Sequence, residues 1–556
     1  MPQSEESLKG DRQTLESMIK KMTPALFSAC FITAMLNMLF GFDTTSFSGV
    51  QSIPAFERQF GTPTGNGSYG LSGSRASFMS SIAFSGKFFG TLTAPIFIEL
   101  LGHRYTMWIL CMISFAGIII ESTSHKVVQF VLGRIIVYYS VGLAENTSTT
   151  YQSDIVPAGL RGAIVGSIQL FIQFGQIFAS GINERFSTEI RPKGWIIPVA
   201  VQAIVPVIVV FGAFLIPNAP RWLISKGRKE DAIRTLEKVR PKEDVVAGVC
   251  KDEADAIEEA LNNNVDKGPW IDLFKGTNLR RTLIATMVFI FQQFTGQGFV
   301  SQYSPRFYKT VGLSKNAFLY NIISSVVAWV GVLIGMPLSD LVGRRDLLIW
   351  GAVLQGVFLF SMAGIGTKSS FTTSDANGLV ASVMLFNFSF AMTWAPIAYV
   401  VASEIGTASL REKTMAFTST INVVAAFIVA FCVPYLLDDI GANIGWLFGA
   451  ISFVAAIYAY YFVPEIKNRS LEELDELFEN RISARKFAST QTHGAGRRVA
   501  ELENRIKLHT TRHQNCEGGR TGTSTKGQGR DTAAYHANGS DSKVDYVKQS
   551  AQVHET

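Results

Sequence analysis

Four ionisable residues fall where lipid would surround them. Asp43, Lys87, Arg134 and Glu145 interrupt or border stretches that are otherwise long and apolar. A charge inside a bilayer costs several kcal/mol and is kept there for function or pairing. Asp43 and Arg134 each lie within roughly 10 Å of the outer boundary at the 1.5 Å rise of a helix, so they can meet. The guanidinium holds the carboxylate ionised, and a solute that separates the two lets Asp43 take a proton. The pair reads either as a proton-coupling switch or as a structural ion pair. Lys87 stands near the middle of its stretch, too deep to snorkel. Glu145 lies about 10 Å deeper toward the cytosol. These two form a second buried pair, or Lys87 faces a wet cavity and the solute is acidic.

A second set of residues is polar without charge. Gln169 and Gln176 are seven apart and share one helical face. The run Phe291-Gln292-Gln293-Phe294-Thr295-Gly296-Gln297-Gly298 places two amides before glycines that invite a local break, freeing backbone groups to line a cavity. Trp394-Ala395-Pro396-Ile397-Ala398-Tyr399 predicts a kink at proline beside an aromatic, and Asn422 follows on the next stretch. Amides donate and accept at once, which suits a neutral hydroxylated ligand, and an aromatic face covers a pyranose ring. Membrane amides also bond helix to helix. Four glutamines converging on one interface favour binding.

The elements that position these residues are helices. Hydrophobic residues make up 47% of the 556 and charged residues 17%, against about 25% charged in soluble domains. About 20 apolar residues cross a bilayer. Nine charge-free stretches and three interrupted or short ones (76–98, 105–120 and 127–153) give twelve spans. Open sheet edges cannot face lipid, so the fold class is an all-α membrane protein. Residues 1–21 are polar and the first apolar run is long enough to span, so no cleaved leader is expected. The loop 217–281 carries 13 Lys or Arg, which places it and both termini in the cytosol. Asn66-Gly67-Ser68 then falls in an outer loop and reads as a glycosylation site. The expected organisation is a tail (1–21), six helices (22–216), a linker with short helices (217–281), six helices (282–464) and a tail (465–556) disordered after about 488.

The halves repeat. Glu99 to Arg104 echoes Asp340 to Arg345 at an offset of 241; Asp154 and Arg161 echo Glu404 and Arg411 at 250; Pro217 echoes Pro464 at 247. Two pseudo-symmetric six-helix bundles suit alternating access around a midplane site. The charges at these loops, Glu99, Arg104, Asp154, Arg161, Asp340, Arg344, Arg345, Glu404 and Arg411, read as cytosolic latches between bundles, because acids serve no topogenic purpose.

These motifs resemble the sugar porter family of the major facilitator superfamily, its fungal branch in particular, over roughly residues 25–480. The family patterns are D-x-x-G-R-R, E-x(6)-R, P-E-S-P-R, Q-Q-x-x-G and P-E-T-K. The chain departs from them at Pro95, Glu99, His103, Asn218-Ala219 and Ile466. The resemblance implies the major facilitator fold, a proton-linked pair at Asp43 and Arg134, and sugar contacts at Gln169, Gln176, Gln292, Gln293, Tyr399 and Asn422. Gly298 stands where sugar porters usually carry Asn, Ala395 where many have Gly, and Tyr399 where many have Trp; Tyr399 resembles disaccharide-type members. The changed pocket leaves room for another solute.

The expected function is transport of a sugar or sugar-like polyol by alternating access, as proton-coupled import. The alternatives are a non-sugar metabolite in either direction and a non-transporting nutrient sensor. No nucleophile–base cluster, metal spacing or phosphate-binding glycine loop is present, so neither an enzyme nor an ATP-driven pump is expected. The five cysteines (30, 111, 250, 432 and 516) have no metal or disulfide spacing. The expected partners are a small neutral carbohydrate and membrane lipid, with no nucleic acid, no metal and no cofactor besides a proton as coupling ion. A monomer in the plasma membrane is expected.

Overall fold

The chain enters its first crossing through a capped helix. The Thr23 hydroxyl accepts from the Leu26 amide at 3.2 Å, and Pro24 occupies the first turn, where a missing N–H costs nothing. The computed structural model describes residues 22–63, 69–156, 158–246, 248–262, 269–310, 312–313, 316–368, 372–407, 410–467, 469 and 471–490. Asn66 and nearly all of the tail expected to be disordered lie outside them.

In the first half, α1 (Pro24–Val50) is followed by a short helix α2 (Pro54–Phe60) and a two-residue ribbon in which β1 (Thr62–Pro63) pairs antiparallel with β2 (Tyr69–Gly70). Then come α3 (Gly73–Ser81), α4 (Ala83–Ser122), α5 (Val127–Ile155), α6 (Ala158–Phe186), α7 (Lys193–Val201) and α8 (Ile204–Gly212). Short helices follow: α9 (Pro220–Ser225), α10 (Lys229–Val239), α11 (Lys242–Val246) and α12 (Val249–Asn262). The second half comprises α13 (Gly276–Phe294), α14 (Gln297–Thr310), α15 (Ala317–Val342), α16 (Arg344–Gly366), α17 (Thr373–Met392), α18 (Trp394–Ile405), α19 (Arg411–Ile440) and α20 (Ile444–Phe462), with α21 (Leu471–Glu479) behind it.

Among the described residues nine stretches are long and apolar enough to cross a membrane. Gly73–Ser122 and Lys413–Phe462 are 50 residues each. Each reverses at a glycine held at positive φ, Gly102 (79°) and Gly441 (53°), where a side chain would be strained. Each therefore supplies two crossings, and α6 adds another, making twelve. Large apolar side chains such as Phe89, Met112, Phe211, Trp350 and Phe462 stay exposed on the outside of the bundle, as a lipid-facing belt requires.

Each half has its own core. Leu36, Leu110, Tyr151 and Val209 meet in the first; Phe289, Leu348, Trp394 and Ala456 meet in the second, where α21 adds Leu474 and Phe478. The helices α9–α12 form a smaller core from Leu223, Leu236 and Cys250 and clamp the first half. Thr23 donates to the Val239 carbonyl at 2.8 Å, and Arg240 donates to the Ile155 carbonyl at 2.8 Å while pairing with Glu253. On the second half Arg281 pairs with Asp475. The end carrying these elements is termed the linker face.

Candidate functional site

Close helix packing sets the site. A Cβ at Gly142 would lie 2.4 Å from the Lys87 carbonyl oxygen, and one at Gly86 would lie 2.0 Å from the Ile135 carbonyl oxygen. Small residues let α4 and α5 approach backbone to backbone. That approach carries Lys87 and Glu145 into contact, with Nζ 2.9 Å from Oε2. Lys87 is 4% exposed, and its ammonium also lies 4.0 Å from the centre of the Phe40 ring. Of the two expectations for Lys87, the structure gives the buried pair. Its charge is matched by Glu145 and does not stand open to an acidic solute.

Asp43 and Arg134 also meet. Arg134 Nη2 donates to Asp43 Oδ2 at 2.8 Å, and both residues are buried. A third charge, unforeseen from the sequence, completes the cluster. Glu121, 1% exposed, lies 3.7 Å from Arg134 Nε and accepts from Gln202 Nε2 at 2.9 Å. Arg134 further donates to the Met79 carbonyl and to the Tyr138 hydroxyl and stacks on Phe47 at 3.9 Å. Glu121 was legible only as the end of a span. Its level matches that of Arg134 because α4 packs directly on α5 there: a Cβ at the adjacent Gly133 would lie 2.6 Å from Glu121 Cγ.

The second half contributes the amides. The helix break expected from the glycines is present: α13 ends at Phe294, Gly296 takes φ 103°, and α14 begins at Gln297. Gln293 Nε2 donates to Asn422 Oδ1 at 3.2 Å, and Asn422 Nδ2 donates to Gln292 Oε1 at 2.9 Å and to the Phe289 carbonyl at 3.2 Å. Gln292 in turn donates to the carbonyls of Trp394 and Ala395. Gln293, Asn422 and Gln292 thus form one network. The break in the tenth crossing falls at Thr393 (φ −120°, ψ −80°), and Pro396 sits in the first turn of the new segment. A Cβ at Gly298 would meet Val429 Cγ1 at 2.8 Å, so the position usually held by Asn is filled from α19.

Gln169 and Gln176 lie on α6, half-buried and buried respectively. The same face meets the second half at both ends, through Gly166 against Met336 and through Ser180, 3.2 Å from Ser325. Gln173 stands between them, 1% exposed with its carbonyl oxygen unpartnered. It extends the glutamine stripe, and its i, i+4 spacing from Gln169 was readable in the sequence. No bond among the described residues joins these glutamines to the amide network.

Tyr399 links the halves. Its hydroxyl donates to Glu145 Oε1 at 2.9 Å, and its ring packs edge-on against Phe289 at 5.0 Å. A continuous run of contacts follows: the Asp43–Arg134 cluster, Tyr138, Phe40, Lys87, Glu145, Tyr399, Phe289 and Asn422.

At the loop motifs the described contacts stay within one half. Glu99 accepts from the Trp222 indole through its carbonyl, and the Arg104 amide donates to Asn218. Arg344 lies 3.5 Å from Glu404, and Glu465 accepts from the amides of Arg344 and Arg345. Asp154 keeps an interaction of its own. The side chains of Arg161, Asp340 and Arg411 lie outside the described atoms. At the end away from the linker face the halves are bonded together, Gln51 to the Gln302 carbonyl at 2.7 Å and Ser77 to the Phe431 carbonyl at 2.6 Å.

A family model described as "Sugar (and other) transporter" matches residues 29–478. The chain is 28% identical over 496 residues to the major facilitator-type transporter ecdD of Aspergillus rugulosus, covering 86% of this chain and 91% of that one. It is 29% identical over 469 residues to the hexose transporter HXT10 of Saccharomyces cerevisiae, covering 82% and 85%. Among solved structures, the proton:xylose symporter XylE from E. coli, bound to 6-bromo-6-deoxy-D-glucose, aligns with a TM-score of 0.68 at 26% identity, over 81% of this chain and 98% of that one.

Proposed function

The chain belongs to the sugar porter family of the major facilitator superfamily, and on that premise we propose that it imports a neutral sugar or sugar-like polyol with a proton, by alternating access at the plasma membrane with both termini cytosolic. Its multi-pass helical fold is that of the superfamily. The observation that carries the reading is the division of the interior into two chemistries: a buried acid–base cluster on one half and an amide network on the other.

The amides act as solute ligands. Each offers donors and acceptors to hydroxyl groups, and the Gln293–Asn422–Gln292 bonds orient them before solute arrives. The acid–base cluster carries the proton. Two carboxylates share one guanidinium, so the cluster has a net charge of −1 with all three ionised and zero with one proton bound. A neutral cluster is enclosed in the low-dielectric interior at lower cost than a charged one, which ties the reorienting step to proton occupancy. One proton moved down about 100 mV and one pH unit supplies roughly 3.7 kcal/mol, enough for a gradient of a few hundredfold.

The test is uptake by cells lacking endogenous sugar transport, with glucose, xylose, galactose, maltose, lactose and an acidic sugar, at acid and neutral outside pH. One neutral sugar should accumulate, faster at acid pH. Asp43→Asn should keep equilibration and lose both accumulation and pH dependence. Transport indifferent to pH and to Asp43→Asn leaves a facilitator. Absence of uptake of every sugar by protein present at the surface removes the sugar-import reading. The filled Gly298 position favours a non-sugar metabolite as the second reading.

A further inference from the structure

The trio of Lys87, Glu145 and Tyr399 is absorbed neither by the amide network nor by the proton cluster. Its geometry is asymmetric. The Lys87 side chain is 5% exposed and the Glu145 side chain 23%. The ammonium therefore sits behind, on the Phe40 ring, and the carboxylate is the end presented to open space. One carboxylate oxygen holds Lys87 and the other holds Tyr399. Both oxygens are thus engaged, and a ligand hydroxyl is the same kind of donor as the Tyr399 hydroxyl it would replace.

The link also has a mechanical position. Glu145 is ten residues from the end of α5, roughly 15 Å from the linker face, and Tyr399 is six residues from the end of α18, roughly 9 Å from it. Their bond therefore joins the halves on the linker side of the midplane. The bonds of Gln51 and Ser77 to the second half lie at the other end. Opening toward the linker face requires the Tyr399–Glu145 bond to break.

We propose that Glu145 is a hydroxyl-recognition subsite whose acceptor is occupied by Tyr399 until a neutral polyhydroxylated solute displaces it, so that solute binding itself releases the latch on the linker side. Lys87 is the positioning residue: its ammonium fixes the carboxylate in place and takes no part in binding an anion. A carboxylated solute meets the Glu145 charge and is rejected. The solute half of this inference rests on the neutral-sugar reading above; the latch half does not.

The experiment separates them. Gly166→Cys places a thiol where α6 meets the flexible end of Met336 across the halves, and its maleimide labelling rate in purified full-length protein reports opening. The parent chain without this substitution gives the background from the native cysteines. Without solute, Tyr399→Phe should label roughly tenfold faster, the size of effect expected for one hydrogen bond to a charged group. D-glucose should accelerate the Tyr399-containing protein and add nothing to Tyr399→Phe; D-glucuronate should leave the former unchanged. Labelling unaltered by Tyr399→Phe overturns the latch, and acceleration of the Tyr399-containing protein by D-glucuronate overturns the subsite. Faster labelling of Tyr399→Phe, with no response of the Tyr399-containing protein to D-glucose or to any other neutral sugar of the uptake panel, supports the latch and counts against the neutral-sugar reading. If Tyr399→Phe does not fold, the charge-free pair Lys87→Gln with Glu145→Gln serves instead. It leaves Tyr399 a weaker acceptor and should label a few times faster; an unchanged rate again overturns the proposal.

Discussion

The two halves are built from the same repeat and filled with opposite chemistry. The first carries Asp43, Lys87, Glu121, Arg134 and Glu145 on its crossing helices, arranged as a three-charge cluster and an ion pair. The corresponding interior of the second holds Gln292, Gln293 and Asn422, bonded to one another and to backbone carbonyls. Charges need partners in fixed geometry, because an unpaired buried ion costs several kcal/mol. Amides tolerate exchange of one partner for another at little cost. The first half is thereby suited to hold a proton, and the second to exchange its internal bonds for a ligand's hydroxyls.

The sharpest way to break this contrast is Arg134→Leu. It leaves two buried carboxylates without their cation and should lower stability by about 3–5 kcal/mol, read as lost yield and a depressed melting temperature. Arg134→Leu with Asp43→Asn and Glu121→Gln should recover most of that loss while remaining inactive in accumulation. Next comes Gly142→Val. Its Cβ would lie 2.4 Å from the Lys87 carbonyl, and forcing α4 and α5 apart should cost about 1–3 kcal/mol and separate Lys87 from Glu145. The same measurement on Gly298→Val should show a smaller effect, because its neighbour is the movable Val429 side chain.

On the other half, Asn422→Ala removes the hub of the amide network. It should raise KM for the transported sugar roughly tenfold, the cost of about one buried hydrogen bond, and leave the pH dependence of uptake as it was. A change in pH dependence without a change in KM would dissolve the division between halves. The smallest effect sharpens the ligand side: Val429→Ala should open space beside Gly298 and shift the ranking of sugars a few-fold, with stability lowered by about 1 kcal/mol.

Much of this was legible in the chain. Charge-free runs of twenty residues and the glycines at 296 and 298 predicted the crossings and the break in the seventh, because lipid allows one backbone solution and glycine one kind of interruption. The Asp43–Arg134 pair followed from depth, since an ionisable group in lipid seeks the partner at its own level; the Lys87–Glu145 pair was one of two readings, and the close approach of α4 and α5 decides it. Tyr399 on Glu145 did not follow, because a contact between halves depends on how they meet, which no local pattern encodes. Glu121 was hidden by standing at a span boundary, where an acid is ordinary. The charged loop motifs showed their positions and not their partners: Arg344 beside Glu404 and the Arg345 amide on Glu465 both fall within the second half.

One residue in the run of contacts has a different character from its neighbours. Phe40 touches Tyr138 on one side, at 6.4 Å between ring centres, and Lys87 on the other. A benzyl ring can neither donate nor accept a proton. It interrupts what would otherwise be an unbroken wire of hydroxyls and charged groups from Arg134 to Tyr399, and so works as an insulator. The two halves can feel each other's position through it, while this run of side chains offers no path of donors and acceptors past Phe40.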